Sequence, residues 1–186
     1  MRVFAAIFPP SEVREALLRA ARDLPSRGNV RWSRPENVHL TLKFLGEVPE
    51  AELDGVRDVL TEVCARYEPF VAETTGFGAF PATKKARVVW AGIGEGGERL
   101  QSLAEDLESS LEGVGFEREN RAYRPHVTLG RARGRPARLE LPEVAAQGLK
   151  FTVREVELVR SVLGKTGAEY ATLAAYPLSE SRDQGS

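Results

Sequence analysis

Apolar residues recur at three- and four-residue steps in three parts of the chain, which is the spacing of an amphipathic helix. The predicted helices cover residues 11–24, 50–67 and 98–114. The segments between them are rich in Val, Phe, Thr and Tyr and are mostly bounded by Gly or Pro, which predicts strands. The predicted strands cover residues 2–8, 38–45, 70–77, 86–93, 126–132, 150–162 and 168–176.

The polarity of these strands decides the fold class. Strands that alternate with helices can form a parallel doubly wound sheet, but the strands of such a sheet read as continuous apolar runs. Several strands here instead alternate polar with apolar residues, and a short turn with Gly164 and Gly167 joins the last two. We therefore predict an α+β fold with mainly antiparallel sheets.

One short pattern occurs twice in the sequence. Residues 34–42 read Arg-Pro-Glu-Asn-Val-His-Leu-Thr-Leu, and residues 124–129 read Arg-Pro-His-Val-Thr-Leu. The two histidines, His39 and His126, are the only ones in the chain. Because they lie about half the chain apart, the repeat predicts two related lobes that each place one copy in a shared cleft.

The first copy is expected to present its histidine and threonine on one side of a strand. Because side chains alternate between the faces, His39, Thr41 and Lys43 share a face, opposite the apolar residues at positions 38, 40, 42 and 44. The ammonium group of Lys43 would then lie where it can neutralise transition-state charge. A solvated lysine on the strand surface is the alternative.

The second copy offers the same pair, His126 and Thr128, on one face. Strict alternation places Arg131 on the opposite face, so it would reach this pair only if the strand bulges near Gly130. Two such units that face each other would form a symmetric receptor for a phosphodiester. One imidazole would then accept a proton and the other would donate one.

At these residues the sequence resembles the two-histidine phosphoesterases, most closely the RNA 2′,3′-cyclic phosphodiesterases, also called 2′-5′ RNA ligase-like or LigT-like proteins. The resemblance covers nearly the whole chain: residues 2–6, Trp32, residues 39–46, residues 124–133, and Ser161, Gly167 and Tyr170 in the last hairpin. It implies a bilobal, pseudo-symmetric fold whose two sheets flank a central cleft, with helices on the outside. It also implies hydrolysis of a terminal 2′,3′-cyclic phosphate to a 2′-phosphate, with no metal or cofactor. A 2′-5′ ligation could occur only as the reverse of transesterification, between a cyclic phosphate end and a free 5′-hydroxyl.

The resemblance also implies roles for the repeated residues. It makes His39 the proton donor to the leaving 3′ oxygen and His126 the base that activates water, with Thr41 and Thr128 as phosphate ligands. The residues alone do not distinguish donor from acceptor, because the two copies are symmetric. The remaining candidates for substrate binding are Lys43, Arg131, Arg124 and Tyr123.

The distribution of charge indicates one further candidate region for RNA binding. The 186 residues carry a formal net charge of −1, unlike a generally basic nucleic-acid coat protein. Residues 118–138, however, contain seven arginines and one acid, Glu119, and flank the second copy, where they suit an RNA backbone. Four aromatic residues could stack a base, although core packing is the alternative for at least half of them. They are Phe8, Trp32, Tyr123 and Tyr170.

The remaining features of the sequence concern the cysteine, the cellular location, the domain bounds and the oligomeric state. Cys64 is the only cysteine and fits the apolar stripe of its helix, so we expect a packed thiol. No apolar run is long enough to cross a membrane, which predicts a cytoplasmic protein. Residues 179–186 are polar and predict a disordered tail, which leaves 1–178 as a single bilobal domain. We expect a monomer, because the proposed site closes within one chain.

Other chemistries fit less well. A zinc or iron site lacks ligands near the two histidines, and no Gly-x-Ser-x-Gly or Gly-x-x-x-x-Gly-Lys-Ser/Thr motif is present. Two alternatives stay open. One is a relative that acts on a small cyclic nucleotide or a 2′-5′ oligonucleotide, and the other is a non-catalytic RNA-binding module of the same fold.

Overall fold

The structure, a computed structural model, describes residues 1–141, 148–165 and 167–179. The described helices are α1 (Ser11–Arg22), α2 (Leu53–Cys64) and α3 (Gly97–Glu112). The described strands are β1 (Arg2–Ile7), β2 (Ser26–Arg27), β3 (Val30–Trp32), β4 (Leu40–Glu47), β5 (Phe70–Phe80), β6 (Val88–Ile93), β7 (His126–Ala132), β8 (Arg138–Leu139), β9 (Lys150–Val153), β10 (Glu155–Gly164) and β11 (Gly167–Pro177). Short 3-10 turns lie at Pro35–Asn37, Glu50–Glu52 and Thr83–Lys85.

Two antiparallel sheets organise the molecule. The first has the strand order β11-β10-β1-β4 and the second the order β3-β7-β6-β5-β9, while β2 and β8 form a separate small ladder. Every pairing in both sheets is antiparallel, which confirms the predicted fold class. The first copy of the repeat leads into β4 and the second opens β7. The two copies therefore lie in different sheets, and β4 and β7 contact each other.

The three helices pack their apolar stripes into one core that both sheets share. In α3 the residues at the predicted spacing, Leu100, Leu103, Leu107 and Leu111, are fully buried. Cys64 is buried at the end of α2, and this burial raises the pKa of its thiol to about 12. The packed thiol predicted from the sequence is confirmed.

The predicted strand over residues 150–162 is wrong in one respect, because it is two strands. It divides at Arg154: β9 pairs with β5 in the second sheet, and β10 pairs with β1 and β11 in the first. The Arg154 carbonyl oxygen accepts a hydrogen bond from the Leu178 amide at 2.7 Å. The chain therefore crosses between the sheets at Arg154, and the residues on both sides keep the composition of a strand.

Each strand that carries the repeat contains a bulge at the same position. Leu42 in β4 has no residue opposite it in β1, and Leu129 in β7 has none in β6. Each leucine lies three residues after its histidine. A bulge adds one residue to one strand only and so reverses the alternation of faces beyond it. The bulges therefore change which later side chains share a face with the histidines.

Two predictions concern the ends of the domain. Residues 180–186 of the predicted tail lie outside the described residues, and the assignment of 1–178 to a single domain stays a prediction. Within the described part of the chain, no helix is both long and apolar enough to cross a membrane.

Candidate active site

Both histidines are oriented in the same way. Nδ1 of His39 lies 2.8 Å from the carbonyl oxygen of Asn37, and Nδ1 of His126 lies 2.6 Å from that of Arg124. A carbonyl oxygen only accepts, so each Nδ1 donates a proton and each Nε2 is left for chemistry. In both copies the carbonyl belongs to the residue two positions before the histidine. In the first copy the 3-10 turn Pro35–Asn37 brings that carbonyl into place.

The threonines lie beside the histidines, as predicted. Oγ1 of Thr41 lies 3.0 Å from Nε2 of His39. Because Nδ1 already carries the proton of the neutral ring, Nε2 accepts here and the hydroxyl donates. Thr128 pairs in register with Trp90 of β6, and Gly92 of the same strand pairs with His126, so Thr128 and His126 face the same side. A hydroxyl thus accompanies each imidazole.

Aromatic rings surround His39 on the face of the first sheet. Its imidazole stacks on Phe4 with ring centres 5.0 Å apart, and Phe8 and Tyr170 lie at 5.2 Å and 5.4 Å. Removal from water disfavours the charged imidazole, and the positive charges of Arg131 and His126 act in the same direction. Together these effects lower the pKa of His39 to about 4, although the hydrogen bond to Asn37 opposes them.

His126 has a smaller aromatic surround on the second sheet. Phe80 meets its ring edge-on at 5.3 Å, and Trp90 lies at 6.3 Å. Trp90 lies across Gly78 of β5, where a Cβ atom would fall 2.1 Å from the indole ring. Burial lowers the pKa of His126, Arg131 adds to the effect, and the hydrogen bond to Arg124 opposes it. In the free protein the surroundings of both imidazoles therefore favour the neutral form.

The bulge in β7 places Arg131 on the same face of the sheet as His126. After the extra residue Leu129, Arg131 returns to the face of His126 and Thr128 and pairs in register with Val88. Its charge lowers the pKa values of both His39 and His126. The condition stated for Arg131 from the sequence, a bulge near Gly130, is met.

The predicted position of Lys43 is wrong for the same structural reason. The bulge at Leu42 turns Lys43 to the face opposite Thr41, where its ammonium group lies 2.7 Å from both the Glu108 carboxylate and the Glu117 carbonyl oxygen. Its side chain is only 5% exposed. Phe44, predicted to face the core, lies instead next to Phe4 at 5.9 Å and is 60% exposed. Phe44 therefore occupies in the first copy the position of Arg131 in the second, five residues after the histidine.

The remaining candidates make other contacts or have exposed side chains. Tyr123 and Trp32 pack against the main core, which is the alternative stated for at least half of the four aromatic residues. Arg124 contributes its carbonyl oxygen to His126, while its side chain is exposed. In the arginine-rich segment, Arg118 forms ion pairs with Glu105 and Glu112.

Three aromatic neighbours of the histidines were not predicted from the sequence. Phe4, Phe80 and Trp90 sit in strands whose composition also fits a core, so only the strand register identifies them. The glycine opposite Trp90, Gly78, was the one available hint, because it leaves room for a large ring. Within residues 1–141, 148–165 and 167–179, no group of three or more His, Cys, Asp or Glu side chains is placed to hold a metal ion.

Comparisons with known proteins agree with this geometry. A model of the 2′-5′ RNA ligase superfamily matches residues 9–165. An RNA 2′,3′-cyclic phosphodiesterase of Archaeoglobus fulgidus is 34% identical, over 95% of this chain and 99% of its own. A crystal structure of a Thermus thermophilus protein matches with a TM-score of 0.80 and 32% identity, over 97% of this chain and 99% of its own. The structure of Escherichia coli LigT in complex with 3′-AMP also matches with a TM-score of 0.80. The two sequences are 27% identical, and the match covers 96% of this chain and 98% of LigT. The chain belongs to the 2′-5′ RNA ligase superfamily.

Proposed function

We propose that this protein hydrolyses the 2′,3′-cyclic phosphate at the end of an RNA to a 2′-phosphomonoester, by metal-independent catalysis with two histidines. One observation carries the proposal. Two His-x-Thr units from different sheets are oriented by equivalent carbonyl hydrogen bonds, and each has its Nε2 available for proton transfer. The relatives named RNA 2′,3′-cyclic phosphodiesterase support the substrate, since they match nearly the full chain.

In the proposed reaction, Nε2 of His126 takes a proton from water as the water oxygen attacks phosphorus. The bond from phosphorus to the 3′ oxygen breaks, and Nε2 of His39 gives that oxygen a proton. The products are a 2′-phosphate and a free 3′-hydroxyl, and solvent returns the proton from His126 to His39. The order of donor and acceptor rests on the resemblance, because the site itself is nearly symmetric.

The other residues of the site bind the phosphate in this proposal. The Thr41 and Thr128 hydroxyls donate to its oxygens, and Arg131 neutralises the charge that develops on them. A bound phosphate anion also changes the state of His39, because a nearby negative charge favours the imidazolium form. The low pKa of His39 in the free protein therefore implies that substrate binding is accompanied by proton uptake.

A 2′-5′ ligation, the reverse of a transesterification, fits the same site. A 5′-hydroxyl in place of water at His126 would give a 2′-5′ linkage. A small cyclic nucleotide or a 2′-5′ oligonucleotide is the alternative substrate, and shortening the RNA distinguishes these cases. A non-catalytic RNA-binding module of the same fold would bind RNA without turnover. We also propose a monomer, because residues of a single chain supply both histidines and both threonines. The cytoplasmic location stays a prediction.

The test is hydrolysis of a short RNA with a 2′,3′-cyclic phosphate end in the presence of EDTA. Conversion to a 2′-phosphate is the expected outcome, with the isomer identified by mass spectrometry and chromatography. A 3′-phosphate product would contradict the assigned leaving oxygen, and loss of turnover in EDTA would contradict the metal-independent step. A diester with a p-nitrophenyl leaving group, which needs no proton, should restore turnover to His39→Ala but not to His126→Ala.

A further inference from the structure

Two arginines lie side by side on the face of the second sheet that carries His126. Arg31 of β3 pairs in register with Arg131 of β7, so their side chains project from the same face. Directly opposed residues have Cβ atoms about 4.5–5.5 Å apart, and like charges at that separation destabilise a sheet. Both side chains are exposed, and within the described residues neither forms an ion pair with a carboxylate.

Arg31 also extends toward the first sheet. Its guanidinium lies against Gly167 at the start of β11, where a Cβ atom would fall 2.7 Å from Nη2. Gly167 has a φ of +131°, a conformation that suits glycine, and it opens the strand that carries Tyr170. Arg31 therefore connects the sheet of His126 with the hairpin beside His39, at the side of the reaction site.

The two adjacent cationic groups are the guanidinium groups of Arg31 and Arg131. The reacting phosphate explains the position of only one of them. The charge of Arg131 acts on both histidines, which places it at that phosphate in the proposed function. The terminal nucleotide of an RNA carries a second anionic group, the phosphodiester that joins it to the preceding nucleotide. Arginine suits such a group, because its planar guanidinium can donate two parallel hydrogen bonds to phosphate oxygens.

We propose that Arg31 binds the phosphodiester on the 5′ side of the terminal nucleotide, so that the protein prefers an RNA chain to a mononucleoside 2′,3′-cyclic phosphate. This inference rests on the proposed function. It assigns a binding role to a residue outside the repeated motif. It also explains why two arginines face each other without an acidic partner among the described residues.

The experiment compares three substrates that differ only on the 5′ side of the reacting nucleotide. They are a mononucleoside 2′,3′-cyclic phosphate, a dinucleotide with the same end, and that dinucleotide with an uncharged methylphosphonate linkage. In the wild type, kcat/KM for the charged dinucleotide should exceed the other two by about tenfold, as expected for one charge-assisted hydrogen bond to phosphate. In Arg31→Met, the three values should converge on that of the wild-type mononucleotide.

Arg160→Met is the matched control, because Arg160 is an exposed arginine that pairs with Val3, on the face of β10 opposite Tyr170. It should leave the preference unchanged. The inference is overturned if Arg31→Met lowers all three values equally, or if the preference for the charged dinucleotide survives in it. Affinity for the corresponding 2′-phosphate products, measured by calorimetry, should show the same pattern. An inactive wild type would contradict the proposed function, while this binding comparison would still decide the role of Arg31.

Discussion

Replacing Lys43 by methionine separates a structural role for this residue from a role in phosphate binding. The ammonium group of Lys43 lies 2.7 Å from the Glu108 carboxylate and 2.7 Å from the Glu117 carbonyl oxygen. The side chains of Lys43 and Glu108 are only 5% and 12% exposed. Through these two contacts Lys43 joins β4 to α3 and to the segment before β7, and thus connects the strand that follows His39 with the segment that leads to His126.

The size of the expected loss in unfolding free energy follows from the burial of the ion pair. Removing one partner of a buried ion pair leaves the other charge without compensation, which costs about 3–5 kcal/mol of unfolding free energy. Among the described residues, the Glu119 amide, at 3.1 Å, would be the one hydrogen-bond donor that the Glu108 carboxylate keeps. Removing both charges, in Lys43→Met with Glu108→Met, should recover about half of the loss or more, because no unpaired carboxylate remains.

Urea denaturation of the wild type, the single variant and the double variant measures this effect, with kcat on the cyclic phosphate substrate as the second measurement. We expect a large loss of stability in the single variant, and recovery of stability and kcat together in the double variant. The opposite pattern would refute the structural role. In that pattern, Lys43→Met loses less than about 1 kcal/mol of unfolding free energy, and its kcat falls and does not recover in the double variant.

Two further predictions concern the surroundings of the histidines. The pKa of His39 is lowered from 6.5 to about 4, so the unfolded chain binds more protons than the folded protein between these values and stability falls as the pH decreases. Between pH 7 and pH 4 the unfolding free energy of the wild type, measured by urea denaturation, should fall by roughly 3 kcal/mol more than that of His39→Asn. Equal losses in the two proteins would contradict a buried neutral imidazole. Gly78→Ala should displace Trp90 and reduce kcat, because the added Cβ would fall 2.1 Å from the indole. In the control Gly76→Ala, on the same strand, the added Cβ meets no atom of the described residues within 4 Å. Equal kcat values for these two variants would show that the position of Trp90 does not matter to the reaction.

Local periodicity predicted the helices and most strands because each helix buries residues at regular spacing, as the four leucines of α3 illustrate. The repeat also indicated the two histidines, because a rare residue twice occupies the same context. The side on which Lys43 and Arg131 lie could not be predicted. It depends on bulges at Leu42 and Leu129, which exist only relative to the partner strands β1 and β6. A leucine in a bulge and a leucine in a regular strand look the same in the sequence.

The break at Arg154 has a similar origin. The chain passes there from one sheet to the other, and the residues before and after it retain strand composition. The pairing of Arg31 with Arg131 likewise joins residues 100 positions apart, through a three-residue strand too short to show a periodic pattern. Long-range register therefore determines the parts of the site that local sequence does not.

The most direct test of the central claim is single-turnover hydrolysis of an RNA 2′,3′-cyclic phosphate, in EDTA, by the wild type, His39→Ala and His126→Ala. If both imidazoles transfer protons, each substitution should slow the reaction by about 10²–10⁴-fold, while thermal unfolding shows that both variants remain folded. A folded variant of either histidine that hydrolyses the substrate at the wild-type rate would contradict the two-histidine mechanism.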